Sequence, residues 1–202
     1  MGWKSYILIL VVLAISLNGL AINPPGTKRV KLDKEIIYID RVEITCLDWR
    51  EYIFSLEQRF GKDSDEVKAA LPQGIDGDSF KDILSKEMED KPITGISLEQ
   101  AIKYCEWRTA VVNIVNEETG RAKVQYNLPS EEQYSKLIKV FGAYEILSEK
   151  NRTERLSGLQ SGVYELTGNG SVLKNNGTFS KEETLPSNNV GFRCVATTIK
   201  RK

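Results

Sequence analysis

Ala122-Lys123-Val124-Gln125-Tyr126-Asn127-Leu128-Pro129-Ser130-Glu131-Glu132-Gln133-Tyr134 decides the class of this fold. Ala122–Leu128 reads as a strand, and Ser130-x-x-Gln133 is a capping box that starts a helix directly behind it. Tyr134, Leu137, Ile138 and Phe141 follow on one helical face. A strand running straight into a capped helix, with no second parallel strand in rhythm, points to mixed α+β structure.

Working outward, the same signature recurs twice. Ser97-x-x-Gln100 precedes Leu98, Ala101, Ile102 and Cys105 on one face, and Thr45-x-x-Asp48 precedes Trp49, Tyr52, Ile53, Leu56 and Phe60. Gly61 is the expected stop of that first helix. Glu35–Asp40 and Val42–Ile44 are apolar, β-branched runs, read as one strand or as two with a kink. Asn189–Ile199 is predicted as the final strand, carrying Phe192, Arg193 and Cys194. Residues 61 to 92 are charged and irregular, with short helical pieces around Val67–Leu71 and Phe80–Met88. Asp76-Gly77-Asp78 lacks the further ligands of a calcium loop and reads as a turn.

Composition excludes whole classes of chemistry. The 202 residues are 41% hydrophobic and 28% charged, as expected of a soluble globular protein of one domain. Lys and Arg number 28 against 28 Asp and Glu, so no nucleic-acid partner is expected, and Lys200-Arg201-Lys202 reads as a solvated end. Histidine is absent, which removes Ser-His-Asp and Cys-His catalysis and His-ligated zinc or iron. The three cysteines, Cys46, Cys105 and Cys194, have no C-x-x-C spacing.

The N-terminus reads as an address. Lys4, the apolar run Tyr6–Leu17 and the small residues Gly19 and Ala21 predict a signal peptide over 1–21, cleaved after Ala21. The alternative is an uncleaved anchor. Either way the domain is expected outside the cytoplasm, periplasmic or secreted, with the membrane involved only through an uncleaved N-terminal segment. Residues 22–34 read as a leader and 35–202 as the domain. Asn151, Asn169 and Asn176 begin N-x-Ser/Thr sequons, read here as polar turns.

Four segments, in order, resemble the formylglycine-generating-enzyme family, the sulfatase-modifying-factor domain. They are Tyr38–Thr45, Pro92–Ala101 running on to Tyr104-Cys105-Glu106-Trp107, Asn127–Tyr134, and Asn189–Val195. The resemblance implies a C-type-lectin-like fold with short strands, two or three helices and much irregular chain. It also implies a disulfide between Cys105 and Cys194, positions that family members commonly join, leaving Cys46 as a buried thiol. Arg193 falls on a buried or half-buried face and needs a carboxylate. Glu165 and Glu132, both in family-matching segments, are the expected partners.

The departures bear on function. Ser161–Thr167 aligns with a family segment in which Gly162 replaces an asparagine, and Tyr164 and Leu166 replace tryptophans. Gly158 stands where the family often has a calcium ligand. The family oxidase binds copper through two cysteines between this segment and the last strand, and here Gly168–Asn189 contains none. The expectation is therefore a protein without catalytic residues, metal or cofactor, serving as an exported binding or structural module of a bacterial cell-envelope assembly with a protein partner. A divergent copper-dependent formylglycine-generating oxidase and a carbohydrate-binding lectin-like domain are the alternatives.

Overall fold

The computed structural model describes residues 23–72, 85–141, 162–181 and 186–199. Among them, four α-helices and two four-stranded sheets alternate with long irregular stretches, an α+β arrangement. The first sheet runs in the order β1 (Thr27–Leu32), β2 (Glu35–Asp40), β8 (Val195–Thr198), β3 (Val124–Asn127), all neighbours antiparallel. The second joins β6 (Phe179–Ser180), β5 (Val172–Leu173), β4 (Tyr164–Leu166) and β7 (Val190–Gly191), with β4 and β7 parallel.

Residues 27–32 correct the expected leader: they form β1 and pair with all of β2, from Thr27 opposite Asp40 to Leu32 opposite Glu35. Val30 and Leu32 face inward while Arg29 and Lys31 face solvent, so an edge strand hides in a charged stretch. The final strand is likewise two short ones, β7 and β8, separated by Phe192-Arg193-Cys194. The expected signal segment lies outside the described residues, as do Asp76–Asp78, Asn151 and Gly158. Among the described residues no helix is long and apolar enough to cross a membrane.

Helix α1 (Cys46–Phe60) starts at a complete Thr45/Asp48 capping box and ends where Gly61 takes φ 95°, a conformation a side chain disfavours. A six-residue helix α2 (Asp65–Ala70) packs on it, and its Ala70 carbonyl accepts from Trp49 Nε1 at 3.1 Å. Helix α3 (Leu98–Glu118) starts at the Ser97/Gln100 box, and Gln100 Nε2 also donates to the carbonyls of Ala69 and Leu71. Helix α4 (Glu131–Phe141) begins with the Ser130/Gln133 pair, whose two reciprocal bonds are 3.0 and 3.1 Å. Phe60 and Ile102 depart from their expected faces: they are 44% and 42% exposed, because each helix narrows its buried stripe there.

The first sheet is covered on both sides. Ile37, Ile39, Val30 and Val195 pack with Tyr134 and Leu137 of α4. Tyr126 and Ala196 face the larger cluster built on α1 and α3. At its centre Trp49 stacks on Tyr104 at 5.5 Å and meets Phe192 edge-on at 6.0 Å. Helix α3 also closes the sheet edge at β3. Asn113 donates to the Val124 carbonyl and accepts from its N–H, both at 2.8 Å, and Thr109 Oγ1 accepts from Tyr126 N at 2.9 Å. Side chains thus take the place of a neighbouring strand. Gly191 is required by close approach: a Cβ there would lie 2.8 Å from the Ile93 carbonyl oxygen.

Candidate functional site

Phe192-Arg193-Cys194 crosses from the second sheet to the first, and each of its three side chains is fully buried in a different environment. Arg193 lies among carboxylates. Its Nε donates to Glu165 Oε2 at 2.6 Å and its Nη2 to Glu165 Oε1 at 2.5 Å, a bidentate pair, while Nη1 donates to the Asp40 carbonyl at 3.1 Å. Tyr134 Oη donates to Glu165 Oε2 at 2.6 Å. Glu43 Oε1 stands 3.6 Å from Arg193 Nη2 as a second carboxylate. Glu132, the other expected partner, is not part of this cluster. It lies on the outer side of α4, with Oε1 2.6 Å from Lys136 Nζ, because helical periodicity turns Tyr134 inward and position 132 out.

One guanidinium facing two buried carboxylates leaves a surplus negative charge. Burial pushes the Glu43 carboxyl up to about 7, with Arg193 acting against the shift and Glu165 adding to it. Burial also works against the charge on Arg193, but Glu165 and its hydrogen bonds keep the arginine pKa above its ordinary value.

Asp40 and Arg108 form a second buried pair that the sequence reading missed. Arg108 Nη1 donates to Asp40 Oδ2 at 2.7 Å, the same oxygen accepts from Cys194 N at 2.8 Å, and Arg108 Nη2 donates to the Pro25 carbonyl at 3.0 Å. The guanidinium lies over the Tyr126 ring, 4.5 Å from its centroid. Burial raises the Asp40 pKa against the pull of Arg108. Asp40 Oδ1 and Tyr126 Oη have no hydrogen-bond partner among the described residues. Alternation gave no signal, because Asp40 shares the face of Ile36 and Tyr38 opposite the buried Ile37 and Ile39, and it is buried only because the sheet is covered on both sides.

The third environment is sulfur. Cys105 Sγ on α3 lies 3.2 Å from Cys194 Sγ, both thiols buried. Burial and the hydrogen bond with Cys105 raise the Cys194 thiol well above the usual range. Cys46 is buried at the first turn of α1, its thiol 3.9 Å from the Pro92 carbonyl oxygen, and burial raises its pKa too.

The residues do not fit the copper centre of the family oxidase. A metal–thiolate bond close to zinc's, about 2.3 Å, would set two in-line sulfurs roughly 4.6 Å apart. The Cys105–Cys194 contact of 3.2 Å is too short for that and longer only than a disulfide bond of about 2.05 Å. Cys46 has no other cysteine left to pair with. Among the described residues no three His, Cys, Asp or Glu side chains are gathered to hold a metal ion.

Residues 23–139 match the sulfatase-modifying factor enzyme 1-like domain. The chain belongs to that family. The matched span includes β1, helices α1 and α3, all but the last two residues of α4, and Asp40, Cys105 and Arg108, whereas Glu165, Arg193 and Cys194 lie beyond it. The Arg193–Glu165 pair thus lies wholly beyond the matched span, and the Glu43–Arg193 contact, the Tyr134–Glu165 hydrogen bond and the Cys105–Cys194 contact tie it to the matched part of the domain. A comparison with curated proteins gives no match.

Proposed function

We propose that this sulfatase-modifying-factor domain is a non-catalytic module, exported and held in a bacterial cell-envelope assembly through a protein partner. The observation that carries the reading is the Cys105–Cys194 contact. With two of three cysteines facing each other in the core and no histidine in the chain, no soft ligand pair remains for oxygen activation. The buried ionic groups support the same view, since Arg108 and Arg193 are both engaged by carboxylates inside the domain.

Copper titration of the reduced protein, with a cysteine-containing peptide assayed for oxidation, tests this directly. No tight stoichiometric Cu(I) binding and no peptide oxidation are expected. Stoichiometric binding lost on Cys46→Ser would overturn the reading in favour of an oxidase. Recovery of a specific envelope protein from solubilised membranes by the tagged chain is the positive counterpart, and capture of glycans in a calcium-dependent manner would replace it with the lectin-like alternative.

Export has its own consequence. In an oxidising compartment we expect Cys105 and Cys194 to be joined, closing a loop that typically stabilises a domain by about 2–4 kcal/mol. The denatured, unreduced protein should then titrate as a single thiol, that of Cys46; three thiols would show that the pair stays reduced.

A further inference from the structure

The thiol contact and the neutral ion pair belong to one assembly. Asp40 N donates to the Cys194 carbonyl at 3.0 Å, and Cys194 N donates back to Asp40 Oδ2 at 2.8 Å. The same carboxylate oxygen accepts from Arg108 Nη1 at 2.7 Å. Arg108 follows Cys105 by three residues on α3, so one turn of helix presents thiol and guanidinium side by side. Helix α3 is thus tied to residue 194 twice over. One tie runs from sulfur to sulfur at 3.2 Å, the other from guanidinium through carboxylate to the Cys194 peptide.

The second tie is held from several sides. Arg108 Nη2 donates to the Pro25 carbonyl at 3.0 Å and the guanidinium lies on the Tyr126 ring, so it is not free to swing away. Asp40 is 4% exposed, and little water competes for its oxygens. We propose that Asp40 and Arg108 are positioning residues for Cys105 and Cys194: their contact keeps the two sulfurs apposed and so sets how firmly the pair stays bonded once oxidised. The proposal rests on the Cys105–Cys194 bond expected above, and not on export or on the nature of a partner.

Closure of the pair is thiol–disulfide exchange with a small-molecule disulfide such as oxidised glutathione. The thiolate of one cysteine attacks a glutathione sulfur, which forms a mixed disulfide and releases the first reduced glutathione. The other cysteine then attacks the sulfur of its neighbour and releases the second. One S–S bond breaks and one forms, the two cysteines give up two electrons, and their two protons end on the two glutathione thiols. Only the second step depends on where the neighbour is held, so the equilibrium reports the effective concentration of one thiol at the other. Loosening α3 from Asp40 frees the reduced form more than the bonded one, which lowers that concentration and makes the bond easier to reduce. Because both thiols are buried, exchange passes through local opening and is read at equilibrium.

The test equilibrates the purified chain with reduced and oxidised glutathione over a wide range of ratios, in a Cys46→Ala background, and reads the bonded fraction by mass after acid quench and alkylation. Asp40→Asn is expected to lower the effective concentration at least about tenfold, which is roughly 30 mV toward easier reduction. Arg108→Lys keeps a cation beside Asp40 at smaller cost to folding and should lower it several-fold. The double variant should be no worse than Asp40→Asn alone, since both act through one contact. Leu32→Val, at the opposite end of the β1–β2 hairpin from Asp40, weakens the bonded and reduced forms alike and should leave the ratio unchanged. Single variants that bond at the wild-type ratio, effects that simply add in the double variant, or a Leu32→Val that shifts as far as Asp40→Asn would overturn the proposal while the disulfide stands. A wild-type pair that stays reduced at every ratio would overturn the disulfide and this proposal together.

Discussion

Arg193 and Arg108 are both guanidinium groups withdrawn from water, and each ties together elements far apart in the chain, but their charges are balanced differently. Arg108 reaches from α3 to a single carboxylate, Asp40, and finishes its valences on the Pro25 carbonyl and the Tyr126 ring. Arg193 is gripped by both oxygens of Glu165, with Glu43 close behind, and none of its surface is exposed. One centre is neutral as a pair. The other carries a carboxylate too many, and the fold accommodates it by keeping Glu43 protonated to near neutral pH. Burial is the first cause of the raised carboxyl in both centres, and only at Glu43 does a second carboxylate, Glu165, add to it.

The sharpest way to break this comparison is to empty the surplus centre. Arg193→Leu leaves Glu165 and Glu43 buried without a cation and is expected to cost about 3–5 kcal/mol in chemical denaturation. A loss under about 1 kcal/mol would mean that the carboxylates simply protonate and the pair holds nothing.

Glu43 supplies the next largest effect, and its sign is fixed by the direction of its shift. A carboxyl whose folded pKa rises from 4.5 to about 7 binds more protons folded than unfolded, so stability falls as pH rises through that window and levels off above it. The shift corresponds to about 3 kcal/mol, an upper figure for a group of this kind. Denaturation between pH 4.5 and 8 should show this slope, and Glu43→Gln should flatten most of it. Asp40, also raised, leaves a residual slope of the same sign. An Arg193 centre with no such slope would show that Glu43 escapes to solvent on ionising.

Asp40→Asn probes the neutral centre. It removes one charge from Arg108, whose side chain keeps 15% of its surface in solvent, and retains an acceptor for Cys194 N, so about 2 kcal/mol is expected. A cost equal to that of Arg193→Leu would erase the distinction between the two centres. Cys46→Ala, away from both, should cost only about 1 kcal/mol by thermal melting, the loss of one small buried group.

Much of this architecture was legible because it is written locally. A capping box is two side chains reaching back over three residues, so Thr45, Ser97 and Ser130 announced three helices without reference to anything distant. The buried faces of α1 and α4 followed from their periodicity. β1 was not legible: its proline–glycine entry and its lysines and arginine are what an exposed edge strand requires, and the same residues describe a loop. The split of the last strand at Phe192–Cys194 was hidden for a related reason, since three consecutive buried residues break the alternation of a half-buried strand.

The candidate site divides in the same way. From sequence alone come the absence of histidine, the scarcity of cysteine and the need for a carboxylate near Arg193, because these are matters of residue inventory and of the cost of a bare buried charge. Which carboxylate answers, Glu165 and not Glu132, is decided 28 residues from Arg193 by the parallel pairing of β4 with β7. The contact of Cys105 with Cys194 spans 89 residues, and that of Arg108 with Asp40 spans 68. Such distances are closed only when helix α3 docks on the sheet. Local chemistry could state what each buried charge needs; only the packing of elements far apart in the chain could supply it.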